Sequence, residues 1–299
     1  MKKNTTTPAE EVAAIRRKLG HLTLDRQSTE WLNTRNTRLN AVLGAAEFGV
    51  PYGKMIEIYG PNSHGKTMLA LLLAALAQED GAKVAWIDLE RSFDRAWVEA
   101  QGVHYDDVYL FEIGVLAKEA RLQTAQELCE EVELWMEQQQ RQRPKGKLLI
   151  VVDSIAAMMT EEELEAGTVG QNMRTQMSLP SFLSKLLRKW VALAANYNAM
   201  MLFINQIRTS PGKWGNPSYA PGGNAAKHYC SVRVHVQRVS GGRLMQSKQV
   251  VGLRGVIKNI KNKAGGGSVE GGECGYLTYF GKKSWEFPSV QAVREPTNE

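Results

Sequence analysis

Two hydrophobic periods divide the chain. Up to about residue 204, short apolar runs alternate with longer amphipathic stretches. Beyond residue 230, apolar and polar positions alternate one by one. The runs at 55–59, 83–88, 108–111, 148–152 and 199–204 have strand length and are apolar almost throughout, which predicts strands covered on both faces. The stretch 117–140 is acidic and amphipathic, and 179–196 also has the helical period, so both read as helices. This alternation is the signature of a parallel sheet with helical crossovers. Over 231–239, Val232, Val234 and Val236 alternate with Arg233, His235 and Gln237, a half-exposed strand. Segments 250–260 and 275–280 continue in strand style, antiparallel at the far edge of the sheet.

The pattern also divides the chain. Residues 1–8 are polar. Thr7, Pro8, Glu10 and Glu11 open a helix over 9–19, with Val12, Ile15 and Leu19 as its apolar stripe and Gly20 closing it. So short a helix needs a surface to dock on, its own core or a neighbouring subunit. The expected organisation is a helix and linker over 1–40, a core over 41–287 and a loose tail over 288–299. Within the core, 161–178 is a Gly-containing polar segment, and 207–224 is a Gly/Pro-rich loop too long for a simple connection.

Composition changes this picture in two places. Of the 299 residues, 43% are hydrophobic and 23% charged, values of an ordinary globular protein. The longest apolar run, 68–77, is about half a membrane span, and the N-terminus does not read as a signal peptide. Cys129, Cys230 and Cys274 are far apart and lack C-x-x-C spacing, so they read as reduced core thiols of a cytoplasmic protein with no membrane partner. The net charge is +6, but residues 207–263 carry eleven Lys/Arg and no Asp or Glu. So long a stretch without a carboxylate points to a polyanionic partner.

Candidate chemistry begins after the first strand. Gly60, Pro61, Asn62, Ser63, His64, Gly65, Lys66 and Thr67 fit G-x-x-x-x-G-K-[ST], and Met68 opens an apolar helix. Gly60 and Gly65 let the backbone curl so that successive N–H groups wrap an anion, and the helix N-terminus adds partial positive charge. Lys66 then reaches the β/γ-phosphates of a nucleotide, and the Thr67 hydroxyl holds Mg²⁺. Asp153 ends the third long apolar strand, where a carboxylate completes the Mg²⁺ shell. Glu90, just past the neighbouring strand, is the candidate to orient or deprotonate the attacking water. Gln206, at the tip of the next strand, is placed to sense the γ-phosphate and pass its presence into the following loop.

Taken together, 58–67, Ile87-Asp88-Leu89-Glu90, Val151-Val152-Asp153-Ser154, 203–208, Gly215-Asn216-Pro217, Gly222-Gly223-Asn224-Ala225 and Lys261-Asn262-Lys263 follow the order and spacing of bacterial RecA recombinases, which this chain resembles. The resemblance covers about 35–279. It implies a RecA-type P-loop NTPase core and a DNA-dependent ATPase. Such a protein uses ATP and Mg²⁺, forms a helical homo-oligomer on single-stranded DNA and exchanges strands with homologous double-stranded DNA. By the same resemblance, Glu90 is the catalytic glutamate and Gln206 couples ATP to DNA. Asp94 and Trp97 flank the adenine, with Trp97 where the family has Tyr. Lys261 and Lys263 reach the ATP of the neighbouring protomer, and His228 replaces a Phe at the interface.

The DNA-binding loops correspond to 165–178, with Met173 and Arg174, and 208–224, with Arg208, Lys213, Gly222, Gly223 and Asn224, closed by Ala225. Ser184 and Arg188 correspond to DNA-backbone contacts. Trp214 and Tyr219 are candidates to stack on bases. Three departures stand out: extra residues and Pro180 near the first loop, Ser218 in place of an acid, and His64 in the phosphate loop. The chain is also expected to lack the family's C-terminal domain, so duplex capture is expected to differ. Two other readings remain open, a RecA-like paralogue or mediator without strand exchange and a ring-forming motor of the same fold.

Overall fold

The computed structural model describes residues 29–116, 121–166, 173–209, 218–219, 224–264, 272–282 and 284–294. In chain order the elements are β1 (Trp31–Leu32), α1 (Thr37–Leu43), β2 (Val50–Pro51), β3 (Met55–Gly60), α2 (Lys66–Glu79), β4 (Lys83–Asp88), α3 (Arg95–Ala100) and β5 (Val108–Glu112). There follow β6 (Val115–Leu116), β7 (Arg121–Leu122), α4 (Ala125–Gln142), β8 (Leu148–Asp153), α5 (Glu161–Ala166), α6 (Met173–Asn196) and β9 (Ala199–Gln206). The remainder is β10 (Arg208–Thr209), β11 (Ser218–Tyr219), α7 (Ala225–Tyr229), β12 (Val232–Gln246), β13 (Gln249–Asn262), β14 (Glu273–Tyr279), β15 (Trp285–Glu286) and α8 (Val290–Arg294).

One nine-stranded sheet organises the molecule, in the order β15-β14-β13-β12-β3-β9-β8-β4-β5. The block from β12 to β5 is parallel, and β13, β14 and β15 continue it antiparallel. The fold is therefore α/β, a mostly parallel sheet flanked by helices with antiparallel edge strands, as the sequence leads one to expect. Both faces are covered, as the apolar runs require. Ile56, Ile58, Val84, Trp86, Leu149 and Val151 point to the side of α2. Their neighbours Met55, Ala85, Ile87, Ile150 and Val152 point to the side of α4 and α6. Helix α2 is buried on nearly every face from Met68 to Ala77, in a core shared with the strands of that side and with Leu39, Val42 and Leu43 of α1.

The parallel strands and the far-edge antiparallel strands form where the pattern places them, but several boundaries move. Helix α4 starts at Ala125, not 117, because Thr124 and Glu127 close a reciprocal capping box. Helix α6 starts at Met173, not 179, and carries Pro180 inside it. Its early turns are anchored by Ser178, whose hydroxyl bonds that of Thr160 at 2.9 Å. Strand β12 runs on to Gln246 instead of ending at 239. Within the stretch expected to be a loose tail, α8 forms and buries Val293. At the other end α1 straddles residue 40 and buries Leu39, Asn40, Val42 and Leu43, so chain order gives no break there. The expected helix over 9–19 lies outside the described residues.

The eleven basic residues of 207–263 do not form one face. Arg233 is buried and ion-paired with Glu57, Arg254 is buried, and Lys258 lies 3.4 Å from Glu273. All three cysteines are buried free thiols, and burial pushes that of Cys274 up to about 12. Among the described residues no helix is long and apolar enough to cross a membrane.

Candidate functional site

In a parallel sheet the carboxyl ends of the strands lie along one edge, and the register of this sheet brings the candidate residues together there. Gly60 at the end of β3 faces Gln206 at the end of β9, and Asp88 of β4 faces Asp153 of β8. The phosphate-binding loop leaves β3 at this edge. A Cβ on Gly60 would lie 2.2 Å from the carbonyl oxygen of Val236, so only glycine lets β12 close against the loop. Gly65 has φ +89°, the left-handed conformation in which glycine costs little, and it serves as the N-cap of α2. The free N–H groups of the first α2 turn therefore open toward the loop.

Lys66 is buried and its ammonium donates to the Pro61 carbonyl at 2.8 Å, which folds the side chain back over its own loop. Burial lowers its pKa, while Asp153 and Glu90 oppose the shift. Thr67 Oγ1 donates to Asp153 Oδ2 at 2.9 Å. Asp153 is 3% exposed, and burial raises its carboxyl from 3.8 to about 7. A hydroxyl and a carboxylate at this distance are hard oxygen donors, the set that suits Mg²⁺ shared with phosphate oxygens.

Beside them, Glu90 Oε1 accepts from Ser154 Oγ at 2.6 Å and from Gln206 Nε2 at 2.9 Å. Both donors meet one oxygen, which leaves the other oxygen of the same carboxylate to a different partner. Asp88 supports this corner from below, accepting from the Phe93 N–H at 2.8 Å. Ser154 belongs to the motif 151–154, but no role was assigned to it from the sequence.

A cavity of about 540 Å³ lies against the loop. Lys66 and Thr67 line it together with the apolar side chains of Trp97, Val250, Leu253 and Phe280. Arg238 and Arg243 of β12 complete the lining, and no motif in the sequence pointed to either. Asp94 accepts the Trp97 N–H at 2.9 Å and so caps α3, the helix that carries Trp97 to the cavity. Asn62 and Ser63 are exposed on the loop. His64 Nδ1 accepts the N–H of Arg238 at 3.1 Å, and its carbonyl accepts the Tyr276 hydroxyl at 2.7 Å. Burial lowers its pKa from 6.5 to about 4, helped by Arg238, Lys66 and His235.

The other candidates lie apart from this corner. Lys261 donates to the carbonyls of Lys227 and His228 at 2.6 and 3.0 Å, at the C-terminal end of α7, while Lys263 is exposed. Ser184 turns its hydroxyl inward, donating to the Pro180 carbonyl of its own helix at 2.9 Å. Arg188 donates to the Tyr229 hydroxyl at 3.3 Å and remains exposed. Asn224 is exposed and starts α7, whereas Ala225 packs into the core and offers no side chain at a surface. Met173 and Arg174 stand on the first turn of α6, and Arg208 pairs with Tyr219 in a two-residue ladder. Lys213, Trp214, Gly222 and Gly223 lie outside the described residues.

Comparison with known proteins gives the family. The family described as RecA N-terminal domain matches residues 13–268. Protein RecA of Thermus thermophilus is 34% identical over 241 residues, 80% of this chain and 65% of that protein. Protein RecA of Geobacter sulfurreducens is 35% identical over 231 residues, 77% and 62% of the two chains. Protein RecA of Rickettsia africae is 35% identical over 235 residues, 78% and 62%. The chain thus spans slightly under two thirds of the length of these relatives.

Proposed function

The chain belongs to the RecA family, and on that premise we propose that it is an ATP-dependent recombinase. It forms a helical filament on single-stranded DNA, pairs that strand with a homologous duplex and hydrolyses ATP between adjacent protomers. The observation that carries the reading is the meeting of four strand ends, which sets Thr67 and Asp153 beside Glu90 and Gln206.

Each group then has a task. The loop N–H groups and the start of α2 hold the phosphates, and Lys66 swings from the Pro61 carbonyl onto the β/γ oxygens. Thr67 and Asp153 hold Mg²⁺, which when bound neutralises charge building on the phosphate oxygens. Glu90 orients the attacking water and accepts its proton. Trp97 presents an aromatic face to the adenine. Gln206 must choose between Glu90 and the γ-phosphate, and its position at the head of the segment after β9 links that choice to DNA. Lys261 and Lys263 contact the ATP of the next protomer, Lys261 leaving its α7 carbonyls to do so.

The test is ATP hydrolysis with and without single-stranded DNA, together with negative-stain images of the assembly. Stimulation by DNA and helical filaments are expected. Turnover indifferent to DNA, or closed rings, would reject the proposal.

A further inference from the structure

Strands β12 and β13 form a long hairpin whose pairing breaks near its middle. Arg238 faces Gly255, yet the next pair is Arg243 with Leu253. Strand β12 therefore places four residues where β13 places one. Side chains along a strand alternate between the two faces, so residues five apart on a regular strand point to opposite sides. The extra residues are odd in number, and such a bulge resets the alternation. Cross-strand partners share a face, and Gly255 and Leu253 are two apart on β13. Leu253 belongs to the core on the α2 side of the sheet. Arg238 and Arg243 consequently both fall on the side that carries the phosphate-binding loop.

Both line the cavity beside Lys66 and Thr67, and no carboxylate lines it. Neither guanidinium has a hydrogen-bond or ion-pair partner among the described residues. Three cations around one concave site repel one another unless an anion of several charges sits between them. The guanidinium is a rigid fork of donors matched to phosphate oxygens. Arg238 is also fixed by its backbone to His64 of the loop, whereas Arg243 is exposed and free to close.

We propose that Arg243 is a nucleotide-positioning residue supplied in cis. Its guanidinium closes over the phosphate chain from the side opposite the loop, so that the β12–β13 hairpin and the loop form the two jaws of one clamp. The inference rests on the ATP reading above and deepens it. The grip comes from the same subunit, apart from any contribution of Lys261 and Lys263 across a filament interface.

The experiment is calorimetric titration of the chain, dilute and without DNA, with ATP, ADP and adenosine. Wild type, Arg243→Ala, Arg243→Lys and Lys66→Ala are compared, with unliganded melting as the check on folding. Arg243→Ala is expected to weaken ATP about tenfold, the scale of one charge-assisted contact. Adenosine affinity and the unliganded melting temperature stay as in wild type, and Arg243→Lys retains most of the ATP affinity. Unchanged ATP binding in Arg243→Ala, with binding lost in Lys66→Ala, would overturn the clamp and leave the ATP reading standing. An equal loss for adenosine would mark a structural effect and also overturn it. Wild type that binds no ATP, or binding indifferent to Lys66→Ala, would sink the ATP reading and the clamp together.

Discussion

Gln206 donates its side-chain amide to Oε1 of Glu90 at 2.9 Å, across the end of β8, which lies between their two strands. Ser154, from that intervening strand end, donates to the same oxygen. The carboxylate is thus steered by two neutral donors and leaves its second oxygen for water. Removing its charge keeps the shape and takes away the proton acceptor. Glu90→Gln is expected to lower ATP turnover by about 10²–10⁴, the usual contribution of a positioned base. ATP affinity should stay within about threefold, since no phosphate contact is assigned to Glu90. Steady-state hydrolysis and ATP titration of the same preparation check this.

Lys261 has a local role as well as the proposed one at the interface. Its ammonium satisfies two carbonyls at the end of α7, where cations are favoured by the helix dipole. Lys261→Ala should therefore lower the unliganded stability by about 1 kcal/mol and also reduce DNA-stimulated hydrolysis by more than about tenfold. ATP affinity of the dispersed subunit should hardly change. Chemical denaturation, together with hydrolysis at rising protein concentration, separates the two effects.

Asp153 is a buried carboxylate that costs the unliganded fold something. Burial raises it to about 7 from 3.8, and Glu90 and Asp88 add to the shift against the hydrogen bond from Thr67. Between those values the folded chain holds a proton that the unfolded chain has released. Stability therefore falls as pH rises through the window, and the penalty is complete above about 7. Asp153→Asn is expected to raise the unliganded melting temperature at pH 8, with less gain at pH 5. The magnitude is on the order of a few kcal/mol at most. The same change should abolish the part of ATP affinity that depends on magnesium. Melting scans at the two pH values and ATP titrations with and without magnesium are the measurements.

His64 shows the opposite sign. Its folded pKa is about 4, below the ordinary 6.5, chiefly through burial. Protonation would also remove the acceptor that holds the Arg238 N–H. The stability it contributes is full above about 6.5 and is lost as pH falls toward 4. His64→Gln keeps an acceptor without titrating, so its melting temperature should fall less steeply than wild type between pH 6.5 and 4. Parallel melting curves for the two proteins across that range would refute the assignment.

The central sheet was legible because a parallel strand buried on both faces writes itself as an unbroken apolar run, as at Leu148–Asp153. The candidate site could be assembled from the sequence because those strands end on polar residues at one edge. Three things were harder to read. The start of α4 was signalled by Thr124 and Glu127, an S/T-x-x-E pair obscured by the helix-favouring residues 117–123 before it. The early turns of α6 were hidden by Pro180, which reads as a first helical position when local rules alone apply. In the fold, contacts such as Ser178 with Thr160 carry the helix past it. The arginines over the loop left no local mark, since their placement depends on a bulge whose parity appears only when two strands are paired.

Glu57 lies at the middle of β3, almost wholly enclosed, and binds Asn205 of β9 at 2.9 Å on one side and Arg233 of β12 on the other. Arg233 in turn rests on the ring of Tyr59 at 4.8 Å. Such a polar seam adds little net stability, but a misassembled sheet would strand a bare charge in hydrocarbon, at a cost of about 3–5 kcal/mol. The seam therefore works as a key for assembly. The order and offset that let Glu57 meet both Arg233 and the Asn205 amide, on three strands distant in the chain, are the same that bring the strand ends into line.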